Sequence, residues 1–235
     1  MKQQKMANKA AKGLVGAIVI AGGTSAYGDI ISVGIPADFV VAPGTAVTGP
    51  VNWDVNSDGI ADFNFTYRYN NTATGSGVIW QANINSPAVA TNGVISYAGP
   101  FVRYAFALSM GTNIGPGGAF FAGPSPQVTL GSRYRSGGVP SYYGGFAAGP
   151  NANGAVAPGT TAYVGFRFNA ADGTHYGWIQ LSVGPGSIDF VSAAYQSTPN
   201  TAIAAGAIPE PGTLGLLALG AVGILGAAVK RRRSA

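Results

Sequence analysis

The chain of 235 residues contains no cysteine, so no disulfide can staple it and no thiolate is available as nucleophile or metal ligand. It has one histidine, His175, and one glutamate, Glu210. A lone His without Cys cannot assemble the usual zinc ligand sets. With Glu confined to position 210, the carboxylate pair of a glycosidase would have to come from Asp alone. The G-x-S-x-G pattern of a nucleophile elbow is absent too, so His175 with neighbouring Asp172 has no recognisable nucleophile to serve. These gaps predict a protein that is not an enzyme.

Charge is scarce as well. The formal net charge of +5 suggests an anionic partner, but its distribution does not. Lys2, Lys5, Lys9 and Lys12 crowd the start, Lys230, Arg231, Arg232 and Arg233 crowd the end, and no lysine lies between Lys12 and Lys230. Between the ends remain Arg68, Arg103, Arg133, Arg135 and Arg167 against seven Asp, a net charge of −2 for residues 29–208. Five scattered Arg make no stripe along which a phosphate backbone could release counterions, which excludes nucleic acid as a partner.

What is present is concentrated at the two ends. The last 28 residues, Ile208–Ala235, hold Pro209, Glu210 and Pro211, then an apolar stretch from Leu214 to Val229, then Lys230–Arg233. With Gly212 and Thr213 the stretch reaches 18 residues, a helix of about 27 Å against a hydrocarbon core of about 30 Å. A transmembrane helix over 213–229 is therefore expected, with the basic cluster as a cytoplasmic stop and everything before it facing outward. At the other end, four Lys precede the short apolar core Leu14–Ala21, and Ala26 and Gly28 place small residues at −3 and −1 before Asp29. Eight apolar residues are too few for a stable span, so residues 1–28 are expected to be a signal peptide cleaved before Asp29. The resulting division is a signal helix over 1–28, a body over 29–196, a small-residue linker over 197–207 and a tail over 208–235.

The tail's three parts, in that order at the C-terminus, resemble the PEP-CTERM sorting signal of Gram-negative bacteria; a plain tail anchor shares only the helix and basic end. The resemblance implies that a membrane exosortase recognises Pro209-Glu210-Pro211, cuts nearby and passes the protein to the cell surface or an exopolysaccharide matrix. It covers about an eighth of the chain and implies sorting, not activity.

The body is large enough for one domain with its own core. Strict alternation at Asp62–Tyr69 puts Phe63, Phe65, Tyr67 and Tyr69 on one face, and Val102–Leu108 repeats the pattern with Val102, Tyr104, Phe106 and Leu108 inward. Tyr163–Phe168, Tyr176–Val183 and Ile188–Tyr195 complete the clearest strands, with weaker ones at Ile30–Val33, Phe39–Val41, Val51–Trp53, Val78–Ala82, Gly93–Tyr97 and Gln127–Leu130. Clusters of Gly, Pro, Asn and Ser separate them, and no amphipathic helix intervenes. The expectation is an all-β antiparallel sandwich or jelly roll, with Gly111–Pro126 and Ser136–Thr160 as long loops or edge hairpins. Tyr163–Tyr195 resembles the C-terminal hairpins of PEP-CTERM surface proteins, which implies that Phe166, Phe168 and Trp178 are core.

Two clusters could carry chemistry. Asp54, Asn56, Asp58 and Asp62 put oxygens at positions 1, 3, 5 and 9 of a loop with Gly59 at position 6, and the Ile60 carbonyl would serve at position 7. That spacing fits a structural Ca²⁺, although position 12 is Phe65 and a strand follows, as in the DxDxDG loops of β-rich extracellular proteins. An Asx-rich turn without metal is the alternative. Tyr134, Tyr142, Tyr143 and Phe146 lie in Gly-rich segments, where exposed rings could stack on sugars or simply cover a sheet edge. The functional expectation is a structural or adhesive protein of an extracellular polysaccharide matrix, with a carbohydrate-binding module, Ca²⁺-assisted or not, as the alternative.

Overall fold

The computed structural model describes residues 29–42, 44, 49–70, 77–86, 91–99, 102–122, 127–147 and 156–209, and these contain strands and turns but no helix. The signal and transmembrane helices expected over 1–28 and 213–229 lie outside the described residues. Among the described residues no helix is long and apolar enough to cross a membrane.

The strands are β1 (Ile30–Val33), β2 (Phe39–Val40), β3 (Val51–Trp53), β4 (Phe63–Tyr69), β5 (Gly77–Asn85), β6 (Gly93–Ala98), β7 (Arg103–Ala105) and β8 (Asn113–Ile114). They continue with β9 (Phe120–Ala122), β10 (Gln127–Ser136), β11 (Val139–Tyr143), β12 (Ala162–Ala170), β13 (Gly173–Gly184), β14 (Ser187–Gln196) and β15 (Ile203–Ala204). Thirteen of them form one sheet along the path β1-β14-β13-β12-β6-β7-β10-β5-β4-β3, with β2, β9 and β11 at its margins. Every pairing is antiparallel except that of β7 with β10.

Alternation explains why the sheet curls. In β4 Phe63, Phe65 and Tyr67 are fully buried while Arg68 is exposed, so one face is apolar and must find a partner. The partner is the far wing of the same sheet. Phe65 meets Phe190 of β14 at 4.7 Å between ring centroids, and Phe63 meets Phe166 of β12 at 5.4 Å. β6 joins the wings: Gly93 and Val94 pair with β12, and Ser96, Tyr97 and Ala98 pair with β7. One continuous curled sheet thus supplies both layers, where the sequence alone predicted a sandwich or jelly roll.

A second, smaller core lies beside the main one. Ile95, Ile114, Tyr163, Tyr176, Trp178, Ala194, Ile203 and Ala205 form it, with Ile30 and Ala207 packed against it.

Two expectations are corrected and a third is made specific. Val102–Leu108 is not one inward-facing strand: Tyr104 is buried, but Val102 and Phe106 are exposed, β7 ends at Ala105, and Leu108 makes only an isolated bridge with Tyr163. Apolar residues here cover both sides of a short strand, so alternation does not identify the buried side. The segments 111–126 and 136–160, expected as long loops or edge hairpins, hold the short strands β8 and β9 in the first and, in the second, β11, which forms an edge hairpin with β10. Residues 197–207 do not stand off as a linker. β15 pairs with β8, and Ile203 and Ala205 are buried.

Candidate functional site

The acidic loop joins β3 to β4 and is closed by the Asp62 amide, which donates to the Trp53 carbonyl at 3.0 Å. Its carboxylates organise its own backbone. Asp54 accepts the Asp58 N–H at 3.2 Å and the Gly59 N–H at 2.7 Å, and Asp58 accepts the Ile60 N–H at 2.8 Å. The Asn56 amide donates to Asp58 at 3.0 Å. Ser57 and Gly59 both take positive φ, of 61° and 89°, as the tight reversal requires. Asp54, Asn56 and Asp58 therefore share one solvent-facing turn.

Asp62 does not join them. Its carboxylate is only 3% exposed, accepting the Val55 N–H at 3.0 Å through Oδ2 and the Asn92 amide at 3.0 Å through Oδ1. Burial pushes its carboxyl up to about 6 from 3.8, opposed by the Val55 and Asn92 hydrogen bonds and reinforced by the charges of Asp58 and Asp54. Asn92, fully buried, also accepts the Asn169 N–H at 2.9 Å, tying the loop to β12. Nothing in the sequence pattern singled out Asn92, because its partners lie 30 and 77 positions away. Among the described residues no three His, Cys, Asp or Glu side chains converge as a metal site.

Tyr134, Tyr142 and Tyr143 lie on the β-hairpin of β10 and β11, and Phe146 follows it. Ser136 pairs with Val139 across Gly137-Gly138, whose φ values of 57° and 85° suit a two-residue turn open to few other residues. Register then sorts the tyrosines. Ser132 faces Tyr143 and Tyr134 faces Ser141, which places Tyr134 and Tyr143 on one side of the hairpin. Arg133 faces Tyr142 and lies over its ring at 5.5 Å, on the other side against the main core. Phe146 is fully buried, so its expected exposure is corrected.

Tyr134 and Tyr143 line a cavity of about 210 Å³ together with Val78, Gln81, Val102, Tyr104 and Ser132. Tyr104 and Tyr143 stack at 6.4 Å with 16° between planes, and Tyr97 continues the row 5.6 Å beyond Tyr104. Burial pushes the Tyr104 hydroxyl up to about 12, so it stays protonated and able to donate at any ordinary pH. The Gln81 amide donates to Asn83 and to Thr129, each at 3.0 Å, which fixes its orientation at the cavity wall. Sequence proximity groups Tyr142 with the other two and gives no sign of Tyr104 or Gln81, which only the fold brings to the cavity.

His175 is buried under the same logic as its strand. Its Nδ1 lies 2.8 Å from the Gln196 carbonyl oxygen, its Nε2 lies 2.8 Å from Asp172, and its ring stacks on Phe168 at 5.4 Å. The hydrogen bond with His175 holds the Asp172 carboxyl below the usual carboxylate range.

Pro209, Glu210, Pro211 and the basic residues Lys230–Arg233 fall in or beside residues the structure does not describe, apart from Pro209, which is exposed. No curated protein and no solved structure matches the chain. Residues 207–233 match the family model described as PEP-CTERM protein-sorting motif. The chain therefore carries a PEP-CTERM sorting motif, which implies export, an exosortase as processing partner and C-terminal sorting to the cell surface or beyond.

Proposed function

We propose that the chain is a non-enzymatic, surface-sorted protein whose β-rich body, working as a sandwich, has a structural or adhesive role in an extracellular polysaccharide matrix. The observation that carries this reading is the sorting motif at residues 207–233 joined to a disulfide-free β body. In this account residues 1–28 are removed on export and 213–229 holds the chain transiently in the membrane. Lys230–Arg233 stays on the cytoplasmic side, and the exosortase cuts near Pro209-Glu210-Pro211. Both ring nitrogens of His175 are engaged at 2.8 Å, which favours a structural histidine over a catalytic one. Intact mass spectrometry of surface material tests the account. It expects a chain that begins at Asp29 and lacks Arg231–Arg233, and recovery of the unprocessed chain would refute it.

The cavity at Tyr134 and Tyr143 favours a second reading, a carbohydrate-binding module. Sugar rings present C–H faces to aromatic side chains and hydroxyls to oriented amides, and Tyr104, Tyr143 and Gln81 offer both kinds of surface. A glycan array separates the readings, since only the second expects saturable binding to a defined sugar.

We also propose that Asp54, Asn56 and Asp58, with the Ile60 carbonyl, take a structural Ca²⁺. All four donors are oxygens, as a hard cation requires. Asp54 and Asp58 are already held in one turn by backbone N–H groups. Asp62 supports that turn from behind through its bond to Val55.

A further inference from the structure

The segment before the sorting motif is pinned to the body along its length. The Asn200 N–H donates to the Thr174 carbonyl at 2.7 Å. The Ala205 N–H donates to Thr112, and the Ala205 carbonyl accepts the Gly111 N–H, both at 2.8 Å. The Trp178 indole closes the series by donating to the Ala207 carbonyl at 3.2 Å. Ile203 is 3% exposed and Ala205 1%. Then the anchoring stops, and Ile208 is 67% exposed.

The other end of the mature body arrives at the same place. The Ser197 N–H donates to the Asp29 carbonyl at 3.0 Å, Ile30 pairs with Gln196, and Ile30 and Ala207 pack on the same small core. Beside this exit stands Met110, 73% exposed, next to Gly206 and one residue before Gly111, whose N–H holds Ala205.

The length of chain left over decides what this face meets. Between Ala207 and the start of the apolar stretch at 213 lie only residues 208–212. At about 3.4 Å per residue they reach at most about 17 Å. About 5–7 Å of that is taken by the polar layer of the bilayer. A body of about 180 residues has a radius of gyration near 16 Å, so the tether is shorter than the body is wide. The exit face therefore cannot turn away from the membrane. Large apolar side chains that are exposed on such a face, Met110 and Ile208, have an apolar boundary to enter.

We propose that the body docks its own residues 197–207 and so seats the face bearing Met110 and Ile208 on the outer lipid surface while the sorting tail is attached. This rests on the reading of 213–229 as a membrane span. It makes the small core a clamp that sets how far the sorting tripeptide stands from the bilayer.

The absence of native cysteine makes the test clean. Full-length Met110→Cys and Val40→Cys variants carry one fluorophore each and are reconstituted into phosphatidylethanolamine/phosphatidylglycerol vesicles with a nitroxide on the headgroups. Val40 is 81% exposed and pairs with Ser187, at the opposite end of β14 from Gln196 and about 30 Å away. Quenching at position 110 is expected to exceed that at position 40 by several-fold. A Gly/Ser spacer of about twelve residues after Ala207, adding about 20 Å of reach, is expected to remove the difference. Equal quenching in the unextended chain, or shielding of position 110 without headgroup quenching, as contact with another copy would give, overturns the proposal with the anchor intact. Failure of the protein to sediment with the vesicles overturns the anchor reading and this inference together.

Discussion

Tyr67 bonds across the core to Gly184, 117 positions away, its hydroxyl donating to the Gly184 carbonyl at 2.6 Å. The same oxygen accepts the Gly186 N–H at 2.7 Å. One phenol in β4 therefore satisfies both sides of the β13–β14 turn and joins the two wings of the curled sheet. Burial raises its pKa above the usual tyrosine value, so the proton it donates is retained. Tyr67→Phe keeps the ring and strips both bonds from buried backbone groups. Each such group left unsatisfied costs about 1–3 kcal/mol, so a loss of about 2–4 kcal/mol is expected. Urea unfolding checks it through the midpoint, and a change below about 0.5 kcal/mol would show that the wings do not depend on this link.

Asp62 sets a pH dependence of unusual sign. Its folded carboxyl titrates at about 6 against an ordinary 3.8, chiefly because it is buried. A raised pKa means that the folded state holds the proton more tightly than the unfolded chain. The stabilisation is complete below about pH 4 and is lost as pH rises through about 6, by about 3 kcal/mol in all. Unfolding free energies measured from pH 4 to 7 in chelated buffer should fall with pH in the wild type and stay flatter in Asp62→Asn. Parallel slopes in the two proteins would mean that Asp62 is not the titrating group.

How much of this was legible follows residue by residue. β4 announced itself because Phe63, Phe65 and Tyr67 alternate with polar residues over a full strand and one face is solvated. The short segments Ile30–Val33 and Val51–Trp53 mark β1 and β3 with their observed bounds, whereas β8, β9 and β15 have two or three residues and carry no period. Residues 197–207 look like a spacer because all but Ile203 are small or polar, yet Ile203 and Ala205 are buried in the smaller core and dock them. In the acidic loop the order of Asp54, Asn56 and Asp58 predicted a shared turn, since oxygen-bearing side chains capture nearby N–H groups. The inward turn of Asp62 depends on Asn92, a contact that no local pattern encodes.

The hairpin makes a prediction that sequence grouping could not. Tyr134 and Tyr143 line the cavity and Tyr142 does not. If the body binds a glycan there, Tyr143→Ala should weaken binding about 10-fold or more, because it removes a face on which a ring stacks beside Tyr104. Tyr142→Ala should leave the affinity within about 2-fold while lowering stability, since it removes packing from the main core. Titration calorimetry against the sugar found on the array reads both. Equal losses from the two substitutions would place the ligand elsewhere.

The calcium proposal turns on whether the loop's own hydrogen bonds suffice. Asp54 and Asp58 each accept backbone N–H groups, which leaves further lone pairs for a cation but also partly offsets their repulsion. Extracellular loops of this kind bind with dissociation constants of about 10⁻⁴ to 10⁻³ M. At about 1 mM Ca²⁺ and a constant near 10⁻⁴ M, the linkage is about 1.4 kcal/mol, or about 3–5 °C in Tm for a domain of this size. Adding chelator should therefore lower Tm by that amount in the wild type and leave Asp58→Ala unchanged. Asp62→Asn should keep the chelator sensitivity on a lower baseline, because Asp62 supports the turn without facing the cation. A wild-type Tm indifferent to chelator would leave the Asx turn as the loop's whole purpose.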